Sequence, residues 1–255
     1  MAPIGISGSN LIVPPRPAPI SLSGVGFPNL PSARIIPIPA FALSSGENDV
    51  YTVPSGKRAV IAGTITNLSG GALNVTYQFK NGGTYYKIVI ISIANNSQLQ
   101  IIPFNTFPIL ESGESFSLLT AGIGLNFAGY AIIFDNTEQL SSPKILSLSN
   151  GDNTLFTCPA GRVAYILNVI SSNALIRVFN DSGAARTYTM NVVPSFGSPS
   201  SVNQINIPTS TADKTQLNTV NEGVGMNTGD SINVNATSGT ATQTSWIPNL
   251  VTRPV

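Results

Sequence analysis

The chain has 255 residues, 42% of them apolar and 9% charged, with a net charge of +1, one cysteine and no histidine. A disordered chain needs low hydrophobicity and much charge, so that class is out, and the charged share lies far below the roughly 25% usual for soluble proteins. The twelve basic residues form no stripe interleaved with aromatics, which argues against nucleic acid as a partner.

Residues 1–40 are a different polymer from the rest. They hold nine of the nineteen prolines, no acidic residue, and two basic ones, Arg16 and Arg34. Prolines at this density prevent helix and central strand alike and leave extended or polyproline-II backbone. Yet the segment is studded with Ile4, Ile6, Leu11, Ile12, Val13, Ile20, Leu22, Phe27, Leu30, Ile35 and Ile36. A ribbon so apolar and so unable to form helix builds no core alone; it must lie along something. It either wraps its own domains or hangs as a floppy tail, or else it clamps a neighbouring subunit, the prolines lowering the cost of ordering. The clamp is the sharper reading, and it makes these apolar residues, Arg16 and Arg34 the expected partner contacts.

Residues 41–138 form a first unit whose opening stretch, Gly46–Ile61, is written again as Gly151–Ile166. The offset, 151 − 46 = 105, holds without a gap through sixteen residues, with Asn48/Asn153, Thr52/Thr157, Pro54/Pro159, Gly56/Gly161, Ala59/Ala164 and Ile61/Ile166 identical. One structural unit is therefore used twice. It reads as a hairpin: strand, tight turn, strand. Pro54 and Pro159 preset φ for the first corner of a turn, and Gly56 and Gly161 supply positive φ two residues on. A second anchor pairs Leu110–Leu118 with Met226–Val234, placing Gly113 against Gly229 and Glu114 against Asp230. Between the anchors Leu73–Phe79 alternates into Asn81-Gly82-Gly83, a strong hairpin signal, and Tyr85–Ile93 returns. Leu99–Ile102, Phe116–Leu119 and Tyr130–Phe134 complete seven or eight strands, the spacing of an antiparallel sandwich or jelly roll. No stretch has a helical period.

Residues 139–146 read as a short linker. Residues 147–255 then repeat the plan, with Ala174–Phe179, a turn at Asn180–Gly183 and a return over Thr187–Val193. The offset at the second anchor is 226 − 110 = 116, eleven more than at the first. Residues 194–225, polar and rich in turn formers, are the expected insertion, with a strand at Val202–Ile207. The fold expectation is all-β: two tandem antiparallel β-sandwiches, jelly-roll-like, behind an extended proline-rich N-terminal arm.

Chemistry finds little purchase. Without histidine there is no His-based triad, general base or common zinc site, and Cys158 has no partner for nucleophilic work. Cys158 stands opposite Val53 in the repeat and reads as a small core hydrophobe. The pairs Glu47/Asp49 and Glu111/Glu114 could serve a glycoside hydrolase. But Glu47 and Glu114 recur as Asp152 and Asp230 at turn positions, where acids cap strand ends. A Ca²⁺ at Glu47 and Asp49, or at Asp152, is a further option, unsupported by any loop spacing. Ala121–Leu125 is glycine-rich but has no following helix or lysine, so it cradles no phosphate. Tyr85, Tyr86 and Trp246 could stack on sugars, against the plainer reading of core or interface packing. No cofactor is expected. No basic-then-apolar leader marks a secretory signal, and no apolar run nears the roughly twenty residues of a membrane helix.

The stretches Val50-Tyr-Thr-Val-Pro-Ser-Gly-Lys57 and Leu155-Phe-Thr-Cys-Pro-Ala-Gly-Arg162 resemble the hairpin of small β-sandwich domains in tailed-bacteriophage virion proteins. These include head decoration (cement) proteins, neck and baseplate attachments and fibre domains. The resemblance covers about eight residues in each unit. It implies a non-enzymatic component of a virus particle, capsid cement first and neck, baseplate or fibre attachment second, assembled in the host cytoplasm. It also implies other virion proteins as partners and a homo-oligomer, trimers being common among such proteins. The rival from another class is a carbohydrate-binding module reading a host receptor.

Overall fold

The computed structural model describes residue 30 and residues 32–101, 108–137, 139–166, 174–195, 200–207, 214–218, 224–237, 243–247 and 250–255, and no helix occurs among them. The first unit consists of Arg34–Leu43 (β1), Gly46–Thr52 (β2), Lys57–Asn67 (β3), Leu73–Asn81 (β4), Thr84–Ile93 (β5), Gln98–Ile101 (β6), Ser115–Thr120 (β7) and Leu125–Asp135 (β8). They make two antiparallel four-stranded sheets, β1-β8-β3-β6 and β2-β7-β4-β5. Alternation along β3 sets the layers. Ala59, Ile61 and Ile65 join Val75, Tyr77, Phe79, Phe116 and Phe127 in the core, while Val60 joins a second cluster with Ile132 and Phe134.

Two expectations change here. Residues 34–40 are not part of a free arm but the start of β1, a strand at the sheet's edge that among the described residues pairs with β8 alone. An edge tolerates Pro37 and Pro39 because a missing N–H there breaks no central ladder, and the register shift between Ile38 and Phe41 absorbs Pro39. Nor do β2 and β3 form a hairpin: they lie in opposite sheets, and Pro54–Gly56 is the corner between them. After Thr52 the backbone bonds a neighbouring turn instead, with Val53 N donating to Glu114 O at 2.9 Å and Gly113 N to Val53 O at 3.0 Å.

The rest comprises Leu140–Ser141 (β9), Lys144–Ile145 (β10), Gly151–Thr157 (β11), Arg162–Ile166 (β12), Ala174–Asn180 (β13), Arg186–Val193 (β14), Ser200–Ile207 (β15), Lys214–Asn218 (β16), Val224–Met226 (β17), Ser231–Ala236 (β18), Gln243–Trp246 (β19) and Leu250–Pro254 (β20). The sheet β11-β18-β14-β15 matches β2-β7-β4-β5 strand for strand. Even the register shifts agree: that between Asp49 and Tyr51 recurs between Thr154 and Phe156, and that between Tyr77 and Gln78 recurs between Met190 and Asn191. The other sheet is split. Strands β17-β12-β20-β9 and β16-β13-β19-β10 are two halves that together match β6-β3-β8-β1.

The split falls at a glycine pair. In the first sandwich Gly63 faces Gly129 across β3 and β8, with the Phe127 ring against both; a Cβ on Gly129 would stand 2.2 Å from the Ala62 carbonyl oxygen. In the second, Ile176 takes the register position of Gly63, pairing with Leu217 as Gly63 pairs with Ile101. The described strands end on either side of this position, at Ile166 and Ala174 along one and at Trp246 and Leu250 along the other.

This corrects three further readings. Asn180–Ala184 is not a hairpin turn, because β13 and β14 lie in different sheets. It matches Asn67–Gly71: each asparagine donates to the carbonyl four residues on, at 2.8 Å from Asn67 and 2.9 Å from Asn180, and accepts from the serine N–H two residues on. The offset there is 180 − 67 = 113, so eight of the eleven added residues lie between Ile166 and Asn180. Residues 194–225 are therefore no insertion; they hold β15, β16 and β17, the counterparts of β5, β6 and the bridge at Leu110. Residues 139–146 are no plain linker either. They contain β9 and β10, which form the outer strand of both half-sheets.

Candidate interaction surfaces

The two sandwiches share a core. Arg177 and Phe179 on β13 alternate with Ile176 and Val178, and Trp246 on β19 pairs with Arg177. Ile176 and Val178 enter the second sandwich's own core, whereas Phe179 and Trp246, with Leu146 beside them, join the core of the first. The half-sheet lies against β5 and covers that edge of the first sandwich. Polar contacts frame it: Lys87 pairs with Asp181, and Thr244 Oγ1 donates to Lys87 O at 3.2 Å. Burial lowers the Arg177 guanidinium to about 10.

A buried ion pair closes one end of this joint. Lys144 reaches from β10 into the first sandwich, donating to Glu114 and to Ile109 O. Glu114 also accepts from Asn81 Nδ2 at 3.0 Å and from Glu111 N at 2.8 Å. Burial pushes the Lys144 ammonium down, and Glu114 pulls it back up. Alongside, Arg58 donates to Glu111 at 2.8 Å and to Leu140 O at 2.9 Å. Both of Glu114's oxygens are thus occupied.

The arm's base packs on its own molecule. Leu30 is fully buried with Ala33, Val60, Ile109, Ile132, Phe134, Leu140 and Val251, so it joins both sandwiches, and Ser32 Oγ accepts from Asp135 N at 2.9 Å. Arg34 donates to Ala33 O at 2.7 Å. Of the expected partner contacts, Leu30 is therefore an internal anchor. Ile35 and Ile36, on β1, remain 44% and 37% exposed, and Tyr130 on β8 is 37% exposed. Ile4, Ile6, Leu11, Ile12, Val13, Arg16, Ile20, Leu22 and Phe27 lie outside the described residues.

The other sequence candidates are structural. Asn48 and Asn153 each donate their amide to three backbone carbonyls, and each accepts from a backbone N–H, of Ser44 and Ser149. Asp49 pairs with Lys80, Glu47 accepts from Gln78, and Asp152 accepts from Asn235. Among the described residues no three acidic, histidine or cysteine side chains gather to hold a metal. Pro54, Gly56, Pro159 and Gly161 make matching exposed corners, and Gly113 and Gly229 make matching turns at φ +82° and +85°. Cys158 is buried and its thiol pushed up by that burial. Trp246 is 2% exposed, which removes it as a sugar platform, and Tyr86, half-buried, stacks on Phe79. Tyr85 lies under Lys80.

Of the joint residues, Arg177 and Phe179 escaped the sequence reading, whereas core or interface packing is the expectation for Trp246. The signal of all three lies in the repeat itself: they stand where the first unit has Thr64, Thr66 and Ala128, small or polar residues of an outer face. Aligning the second unit by its Asn180 turn exposes these exchanges.

No family model matches the chain, and no curated protein is significantly similar to it in sequence. Among solved structures it is similar to the STIV MCP, at 10% identity and TM-score 0.27, over 86% of this chain and 96% of that one. A pentameric capsid protein isolated from metagenomic phage sequences matches at 14% identity and TM-score 0.22, over 38% of this chain and 61% of its own. PNGase F, a glycosylasparaginase from Flavobacterium meningosepticum, matches at 10% identity and TM-score 0.31, over 89% and 91%. Scores this low do not separate a shell protein from an enzyme.

Proposed function

We propose that the chain is a non-enzymatic structural component of a bacteriophage particle, a capsid cement or decoration protein held to neighbouring subunits by its N-terminal arm. The observation that carries this reading is where the arm leaves the body. Residues 1–29 are apolar, acid-free and proline-rich, and they precede β1, on which Ile35, Ile36, Pro37 and Pro39 are exposed, with Tyr130 paired across from Pro37. An apolar ribbon issuing from an apolar edge is the surface of a docking protein rather than of a free monomer. Behind it stand two sandwiches fused through a common core, a rigid block with its carboxylates engaged in turns and ion pairs. The resemblance of Val50–Lys57 and Leu155–Arg162 to virion domains points the same way.

In this reading the partners are major capsid or tail subunits and further copies of the chain, and the site of action is the virion. The test is truncation of residues 1–29, sparing β1. The shortened protein should keep its circular dichroism and thermal midpoint but fail to enter particles. Incorporation at the full-length level would overturn the clamp, and imaging of particles carrying the intact protein separates shell from neck, baseplate or fibre.

A further inference from the structure

The acidic turn that anchors the joint has an unfilled twin. In the first sandwich a cleft beside Asn81, Glu111 and Glu114 holds the segment Ser141–Leu146, with Lys144 on Glu114. In the second, a cleft is lined by Pro194, Ser195, Asn227, Thr228 and Asp230. Val163 and Val255 complete its lining, and three of its members, Pro194, Asn227 and Asp230, are counterparts of Asn81, Glu111 and Glu114, since 194 − 81 = 113, 227 − 111 = 116 and 230 − 114 = 116, the offsets that register gives for these strands. Asp230 accepts from Asn227 N at 2.8 Å as Glu114 accepts from Glu111 N, and Ser195 N supplies a second bond at 2.8 Å. These donors hold its carboxyl below the usual range, so it is charged at neutral pH. Among the described residues no cation pairs with it.

We propose that this cleft receives the N-terminal arm of a second copy of the chain, with Arg16 taking on Asp230 the part that Lys144 takes on Glu114. The inference rests on the clamp reading above. Residues 1–29 contain one basic side chain, Arg16, within Pro14-Pro15-Arg16-Pro17, and no acid to oppose it. Lys144 likewise follows a proline, Pro143, in an extended segment. A guanidinium adds a planar fork suited to a carboxylate. Arg16 lies fourteen chain steps from Leu30 (30 − 16); at about 3.3 Å each they span about 46 Å, enough to leave the parent subunit.

Disulfide trapping tests it on the full chain. One copy carries Ala18→Cys beside an intact Arg16, and another carries Thr228→Cys; mild oxidation of the mixture should give the mixed covalent dimer. Separately, Asn227→Lys should weaken self-association by about fivefold, the ceiling for one exposed ion pair, and Asn227→Glu, restoring the acid of Glu111, should strengthen it. A disulfide formed only within single chains carrying both cysteines would overturn docking between copies. Absence of any disulfide, with both Asn227 variants associating like the parent, would overturn the cleft. The clamp reading falls separately, only if the chain lacking residues 1–29 still enters particles.

Discussion

Phe179→Ala tests the claim that the two sandwiches are one cooperative body. Phe179 is 1% exposed and sits in the core of the first sandwich although its strand belongs to the second. Burial of such a ring is worth about 1.5–3 kcal/mol by transfer alone. The cavity left in a joint that cannot collapse raises the loss to about 3–5 kcal/mol. Against the roughly 5–15 kcal/mol of a whole domain this is enough to uncouple the units. Trp246, the chain's single tryptophan, lies in the same cluster and serves as the reporter. In urea, the parent's Trp246 emission and far-ultraviolet circular dichroism should change together. In Phe179→Ala the emission should shift to the red and complete its transition before the dichroism does. A variant that loses less than about 1 kcal/mol, with emission unchanged and both transitions coincident, would refute the shared core; that loss is below the transfer term by itself.

Lys144→Met should cost about 3–5 kcal/mol, measured by denaturant titration, because it leaves Glu114 buried without its cation; adding Glu114→Gln should recover most of that loss. Gly129→Ala should destabilise the first sandwich by several kcal/mol, since its Cβ would meet the Ala62 carbonyl at 2.2 Å, and backbone cannot yield as a side chain would. Asp230 has a depressed carboxyl pKa, so its contribution is present above the unfolded value of about 4 and is lost as pH falls through the folded value. Asp230→Asn should therefore flatten part of the acid limb of the thermal midpoint against pH while leaving the neutral region nearly level.

Composition, turn residues and the sixteen-residue repeat were enough to settle an all-β chain of two like units, because alternation and glycine or proline at fixed positions are local properties. The matched asparagines, acids and corner prolines were legible for the same reason: each bonds backbone within a few residues or at the adjoining strand. Which strand pairs with which was not legible. The corner at Pro54–Gly56 and the turn at Asn180–Ala184 have hairpin chemistry, yet both join opposite sheets, since long-range ladders at Val53 and on β13 claim the strands first. The arm's boundary moved for a related reason, proline being compatible with an edge strand once β8 lies beside it. The joint was decided by tertiary packing alone. Phe179, Trp246 and Lys144 are ordinary apolar and basic residues until the fold turns their faces toward the first sandwich, and burial there is what gives them meaning.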